Sequence, residues 1–110
     1  MDWRELSEES IVSESYRLYE QIEMYLNIPN APKIKIKILE TKDGGYMGRV
    51  SHYPTTSPKS IQNPSDSATC WNTPEEALFE IFRDLKTNID TCKKSNVDEE
   101  KWVWLKFDNF

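Results

Sequence analysis

The stretch "KIKIKILETKDGGYMGRV", residues 33–50, decides the fold of this 110-residue chain. Its first seven residues alternate so that the three isoleucines share one face of a strand and the three lysines share the other. The Asp-Gly step at residues 43–44 tolerates the positive φ angles that a tight hairpin turn requires. We therefore expect a β-hairpin whose second strand covers residues 46–53.

A helix is predicted to begin in "TPEEALFEIF", residues 73–82. Thr73 is a suitable N-cap, Pro74 fits the first helical position, and Glu76 lies three residues after the cap, as in a capping box. Apolar residues then recur at the helical period and predict one buried stripe. The stripe consists of Leu78, Ile81, Phe82, Leu85, Ile89 and Cys92.

The first segment, residues 7–28, also shows apolar residues at the helical period, which predicts an amphipathic helix of about 20 residues. Residues 1–28 carry seven acidic and two basic side chains, which accounts for the whole net charge of −5. We expect the helix to dock through a stripe containing Ile11, Leu18, Ile22 and Leu26. The opposite side would then present an acidic, partner-binding ridge formed by Glu9, Tyr16, Glu20 and Glu23.

The remaining segments complete an α+β chain. Residues 54–66 are rich in proline and hydroxyl side chains and predict a long loop that is mobile or ordered only against a partner. "ATCW", residues 68–71, predicts a short strand, and "KWVWLKF", residues 101–107, predicts a final one. Trp102 and Trp104 share a face of this last strand, either covered by the first helix or exposed at a subunit or partner interface.

The predicted fold is therefore a single domain, residues 1–110, in the α+β class. An acidic amphipathic helix and its connector occupy residues 1–30, and a sheet with a second helix occupies residues 31–110. We expect an antiparallel sheet of about four strands with both helices packed on it, in the order α-β-β-β-α-β.

Residues 35–50 and 73–89 together resemble the HicB antitoxin family. The resemblance covers roughly residues 33–92, and it implies a truncated RNase H-like domain that neutralises a protein partner. For this chain we also expect a homodimer. The usual C-terminal DNA-binding segment has no counterpart in the sequence, and the excursion after the second strand is longer than in that family. The matching residues are Asp43, Gly44, Gly45, Tyr46, Val50, Thr73, Glu75, Glu76, Ala77 and Leu78.

Composition narrows the function classes further. Charged residues make up 30% of the chain, and no apolar run is long enough to span a membrane. Residues 1–10 are acidic and show no signal-peptide pattern, so we expect a cytoplasmic protein. The acidic balance argues against nucleic acid as a ligand. Cys70 and Cys92 lie far apart without a metal-binding spacing, so no metal or other cofactor is expected.

The function that we expect is a non-enzymatic protein-binding module, with a basic toxin-like protein as the partner that the HicB resemblance implies. Carboxylates such as Glu40, Asp43 and Asp66 do not fall on a common face, which argues against metal-dependent hydrolysis. Three alternatives stay open: an inhibitor or immunity-type protein unrelated to toxin pairs, a small RNase that uses His52, and a small-ligand sensor.

Overall fold

The computed structural model describes residues 2–57, 69–107 and 110. The class is α+β, as predicted, but the order of the regular elements is β-β-β-β-α-β, preceded by a 3-10 helix. The elements are the 3-10 helix Trp3–Glu8, β1 (Tyr16–Met24), β2 (Ile34–Thr41), β3 (Tyr46–Val50), β4 (His52–Thr55), α1 (Pro74–Lys94), a 3-10 turn (Glu99–Lys101) and β5 (Val103–Lys106).

The strands form two antiparallel sheets instead of the single four-stranded sheet that the sequence predicts. β1, β2 and β3 are neighbours in the first sheet, with β2 in the middle. β4 pairs with β5 in the second sheet. The predicted return strand is thus divided at Ser51, and its two halves serve different sheets.

The predicted amphipathic helix over residues 7–28 is wrong, because the centre of that segment, Tyr16–Met24, forms β1. Ile22 lies opposite Ile36 and Met24 lies opposite Ile34 in the β1–β2 pairing. A hydrogen-bonding partner strand outweighs a weak helical periodicity, and β-branched and aromatic residues favour strands. Ile11, assigned to the buried stripe, is 93% exposed.

The predicted hairpin of β2 and β3 is confirmed. The Thr41 N–H donates to the Gly45 carbonyl oxygen over 2.8 Å, and Gly44 adopts a φ of 87° in the turn. The isoleucines of β2 are almost completely buried and form the centre of the hydrophobic core. The core residues are Ile34, Ile36, Ile38, Val50, Ala77 and Leu85.

The helix α1 begins where the capping residues predict. The Thr73 side chain accepts a hydrogen bond from the Glu76 N–H over 3.1 Å, and Pro74 is the first helical residue. α1 packs chiefly against β3 and β4 and less against β2. At Gly48 of β3 the helix lies so close to the sheet that an added Cβ would be 2.8 Å from Ile81 Cβ. The lack of a side chain at Gly48 therefore allows the short helix-to-sheet distance at this position.

Ser51 joins the two sheets. Its N–H donates to the Lys35 carbonyl oxygen over 2.8 Å, and its side-chain oxygen accepts from the Lys35 N–H over 2.9 Å. Its carbonyl oxygen accepts from the Phe107 N–H over 3.0 Å, next to the last strand. One buried serine thus bonds to β2 on one side and to the C-terminal segment on the other.

The segment between β4 and α1 differs in part from the predicted loop and strand. Pro54 and Thr55 belong to β4, and residues 58–66 of the predicted loop lie outside the described residues. Of the predicted strand at residues 68–71, the described part contributes a single bridge between Trp71 and Tyr46.

Candidate functional site

β1 forms an open edge of the three-stranded sheet. Within residues 2–57, 69–107 and 110, its one strand partner is β2, so the other side of its backbone is unpaired. Six of its nine side chains are exposed, and the other three, Tyr16, Ile22 and Met24, are half-buried. An unpaired edge is a template for pairing with another chain unless the fold covers it or charges protect it.

The hydrogen-bond alternation of an antiparallel ladder shows which groups of β1 face outward. Lys35 and Thr41 of β2 direct their backbone groups toward β3, where Lys35 accepts from Ser51 and Thr41 donates to Gly45. The even-numbered residues of β2 therefore bond to β1. In the observed register, the N–H and C=O groups of Gln21 and Glu23 must point away from the sheet.

An apolar groove runs beside this edge on the side of the sheet that carries α1. α1 is centred over β3 and β4, so the half of the sheet near β1 is left without a covering helix. Phe79 is 63% exposed and Phe82 is 43% exposed at the flank of α1 that faces β1. The groove is lined by Ile22, Met24, Ile36, Glu75, Leu78, Phe79 and Phe82.

Sequence reasoning missed this groove. Phe82 fits the helical period of the predicted buried stripe, and Phe79 lies outside that stripe. The lateral position of α1 decides their exposure, since a helix centred over β2 would have covered more of β1. The one available signal was an aromatic residue on α1 beyond the predicted stripe, because exposed aromatic side chains are common at binding surfaces.

The structure does not bring the predicted acidic ridge together. Glu9 follows the 3-10 helix, Glu20 lies on the α1 side of β1, and Glu23 and Tyr16 lie on the opposite side. The Tyr16 hydroxyl donates to Glu14 over 2.6 Å, and this hydrogen bond raises the pKa of the tyrosine. The four residues therefore do not form one surface.

The two tryptophans of the predicted last strand do not form an exposed interface. In the structure, Trp104 belongs to β5 and Trp102 precedes it. Trp102 is 5% exposed, and its indole N–H donates to the Val97 carbonyl oxygen over 3.1 Å. Trp104 is half-buried and packs against the core. Both side chains therefore contribute to the interior of a single chain, where they take part in folding.

A buried carboxylate holds the N-terminal 3-10 helix on the sheet. Glu40 accepts from Arg4 over 2.7 Å and from Arg17 over 2.6 Å, while its side chain is 9% exposed. Both guanidinium groups also lie over the Trp3 ring. The hydrogen bond from Arg17, with the charges of the two arginines, holds the pKa of Glu40 below its usual value. With both oxygens engaged, this carboxylate has a structural role.

His52 is half-exposed and contacts the buried Ser51. Its Nδ1 lies 2.8 Å from the Ser51 side-chain oxygen, which is buried and already accepts from the Lys35 N–H. Burial, with the nearby charges of Lys106 and Lys35, lowers the pKa of the imidazole. The Ser51 hydroxyl is therefore held inside the fold between His52 and β2.

Neither similarity to known proteins nor the other described side chains point to another kind of site. No family model, curated protein or solved structure matches the chain. Among the described residues, no three His, Cys, Asp or Glu side chains are placed to hold a metal ion. In the same part of the chain, no helix has the length and apolar character needed to cross a membrane.

Proposed function

We propose that this chain is a non-enzymatic protein-binding module and that the groove between α1 and β1 is its binding surface. The observation that carries the proposal is the exposure of Phe79 and Phe82 opposite Ile22 and Met24. Aromatic side chains that border an apolar depression are the usual anchors of protein interfaces.

The shape and charge of the groove favour an amphipathic helix with basic residues. The groove has a floor of strand residues and one wall formed by α1, and an apolar helix face fits such a depression. Glu75 lies in the groove lining, and Glu20 lies on the same side of β1. These carboxylates suit lysine or arginine at the rim of the partner, and the net charge of −5 would speed the encounter.

Neutralisation of a basic toxin-like protein is the form of this proposal that the HicB resemblance of residues 33–92 supports. An inhibitor or immunity-type protein would use the same groove, and the identity of the partner separates the two roles. No disulfide bond joins Cys70 and Cys92, which is consistent with the cytoplasmic location that we propose.

The experiment is site-specific photocrosslinking in the native cell, with the photoreactive residue at position 79 or at position 84. Asp84 is the matched control because it lies on the opposite flank of α1 and is also exposed. We expect one protein to crosslink at position 79 only. The purified complex should be lost in the Phe79→Ser, Phe82→Ser double variant and retained in Asp84→Ser, with unchanged circular dichroism in both variants.

Two results would contradict the proposal. Equal crosslinking at positions 79 and 84 would remove the groove as the binding surface. RNA cleavage by the purified chain that disappears in His52→Ala would instead make it an RNase, since the module is proposed to lack enzymatic activity.

A further inference from the structure

We infer that β1 pairs with β1 of a second copy of this chain, antiparallel and with Ile22 on the two-fold axis. The inference concerns the backbone edge of β1, whereas the proposed function uses the side chains of Ile22 and Met24 on one face of the same strand. The result would be one continuous six-stranded sheet, because the three-stranded sheet of each copy ends at this edge.

The backbone geometry permits this pairing. Gln21 and Glu23 direct their N–H and C=O groups outward, as the ladder alternation shows. With Ile22 on the axis, Gln21 of each copy lies opposite Glu23 of the other. The two residues can then exchange a pair of backbone hydrogen bonds, and the side chains opposite each other lie on the same side of the joined sheet.

The charged side chains of β1 favour this register over the two neighbouring registers. In it, the Gln21 amide meets the Glu23 carboxylate of the second copy, and Glu20 meets Met24, so no like charges face each other. A register centred on Glu23 would place two carboxylates directly opposite each other. A register centred on Gln21 would run into the irregularity of β1 between Leu18 and Glu20 after only three residues.

The structure also limits the length of the proposed contact. The irregularity between Leu18 and Glu20 limits regular pairing to residues 20–24. Tyr19, which lies in that irregularity, packs edge-to-face on Tyr46 of its own chain with the ring centroids 5.4 Å apart, so it takes no part in the contact.

The dimer would enlarge the proposed binding surface without filling it. If α1 sits over β3 in each copy, five strand spacings of about 4.8 Å separate the two helices by roughly 24 Å. Since packed helices lie about 8–10 Å apart, the two grooves would merge into one trough that is still open. A dimer and a groove-bound partner are therefore compatible.

The test is sedimentation equilibrium of the purified chain with either charge placed at position 21. Gln21→Lys should tighten the dimer about fivefold, because two symmetry-related ammonium–carboxylate pairs replace amide–carboxylate pairs. Gln21→Glu should loosen it by a similar factor, and both effects should shrink at high salt. The same substitutions at Asn88, exposed on α1, are the matched controls and should leave the dimer unchanged.

A crosslink checks the axis independently. Opposed residues of a non-hydrogen-bonded antiparallel pair have Cα atoms about 4.5 Å apart, within the range that a disulfide spans. Ile22→Cys in a Cys70→Ser background should therefore oxidise to a covalent dimer, and Glu20→Cys in that background should not.

Three outcomes would overturn the inference. They are a monomer at all accessible concentrations, a dimer that ignores the charge at position 21, and a dimer that Gln21→Lys loosens, as a register centred on Gln21 requires. None of them bears on the groove, because capture at Phe79 is measured separately.

Discussion

Replacement of Gly48 by alanine tests the helix-to-sheet packing directly. The new Cβ would lie 2.8 Å from Ile81 Cβ and 3.0 Å from the Ala77 carbonyl oxygen. Comfortable carbon–carbon contacts are about 3.5–4.0 Å, so α1 must move away by roughly 1 Å. Neither neighbouring atom can rotate aside, since one is a β-carbon and the other is backbone. We therefore expect a loss of about 2 kcal/mol in the free energy of unfolding, within the usual range for overpacking.

The assay is urea unfolding followed by tryptophan fluorescence. For an m value of about 2 kcal/mol/M, the midpoint should fall by about 1 M. The sign of the change in unfolding free energy is informative, because alanine is favoured over glycine in a strand by about 0.5–1 kcal/mol when packing is ignored. Ile81→Ala should not rescue the variant, since its Cβ remains in place.

Gly44→Ala is the matched control for Gly48→Ala. An added Cβ at Gly44 meets no atom within 4 Å, and any cost there comes from its φ of 87°. That cost should be about 1 kcal/mol and should leave hydrogen exchange in α1 unchanged. If Gly48→Ala is as stable as the original chain or more stable, the close approach of α1 to β3 does not exist in solution.

Three further outcomes are expected. The depressed pKa of Glu40 stabilises the fold above the unfolded value of 4.5, and this contribution is lost as the pH falls through the lower folded value. The free energy of unfolding should therefore depend less steeply on pH below 4.5 in Glu40→Gln than in the original chain. The exposed control Glu5→Gln should keep the original dependence. Thr73→Ala should cost about 1 kcal/mol in urea unfolding by removing the helix cap. A thiol reagent should label Cys70 alone in the folded protein, because burial shields Cys92 and raises its pKa; labelling of both at equal rates would contradict the packing of α1.

The sequence predicts correctly those elements that local chemistry determines. The strict alternation of residues 33–38 has one solution, and the cap at Thr73 marks the start of α1 within one residue. Residues 16–24 are different, because their apolar positions fit both a helical period and, from Glu20 onward, a strand period. The presence of β2 as a hydrogen-bonding partner decides between them, and that partner is a tertiary feature.

The candidate site could not be predicted for a related reason. The groove depends on which strands α1 covers, and the period of a helix fixes only which of its sides is apolar. Glu40 likewise looked like an ordinary strand-end carboxylate, since Arg4 and Arg17 reach it only after the first segment has folded back on β2. Trp102 had two predicted environments, and in the buried one its indole N–H bonds to Val97 in the segment that follows α1, a contact that only the folded chain provides.

The hydrogen bonds of Ser51 couple local unfolding of the two sheets. A protein with two separate small sheets could lose one while keeping the other, and hydrogen exchange would then show two independent levels of protection. Here the same serine bonds to Lys35 of the first sheet and to Phe107 at the end of the second. Fraying of the C-terminal strand therefore loosens the middle strand of the other sheet, so the amides of both sheets should exchange with one shared free energy.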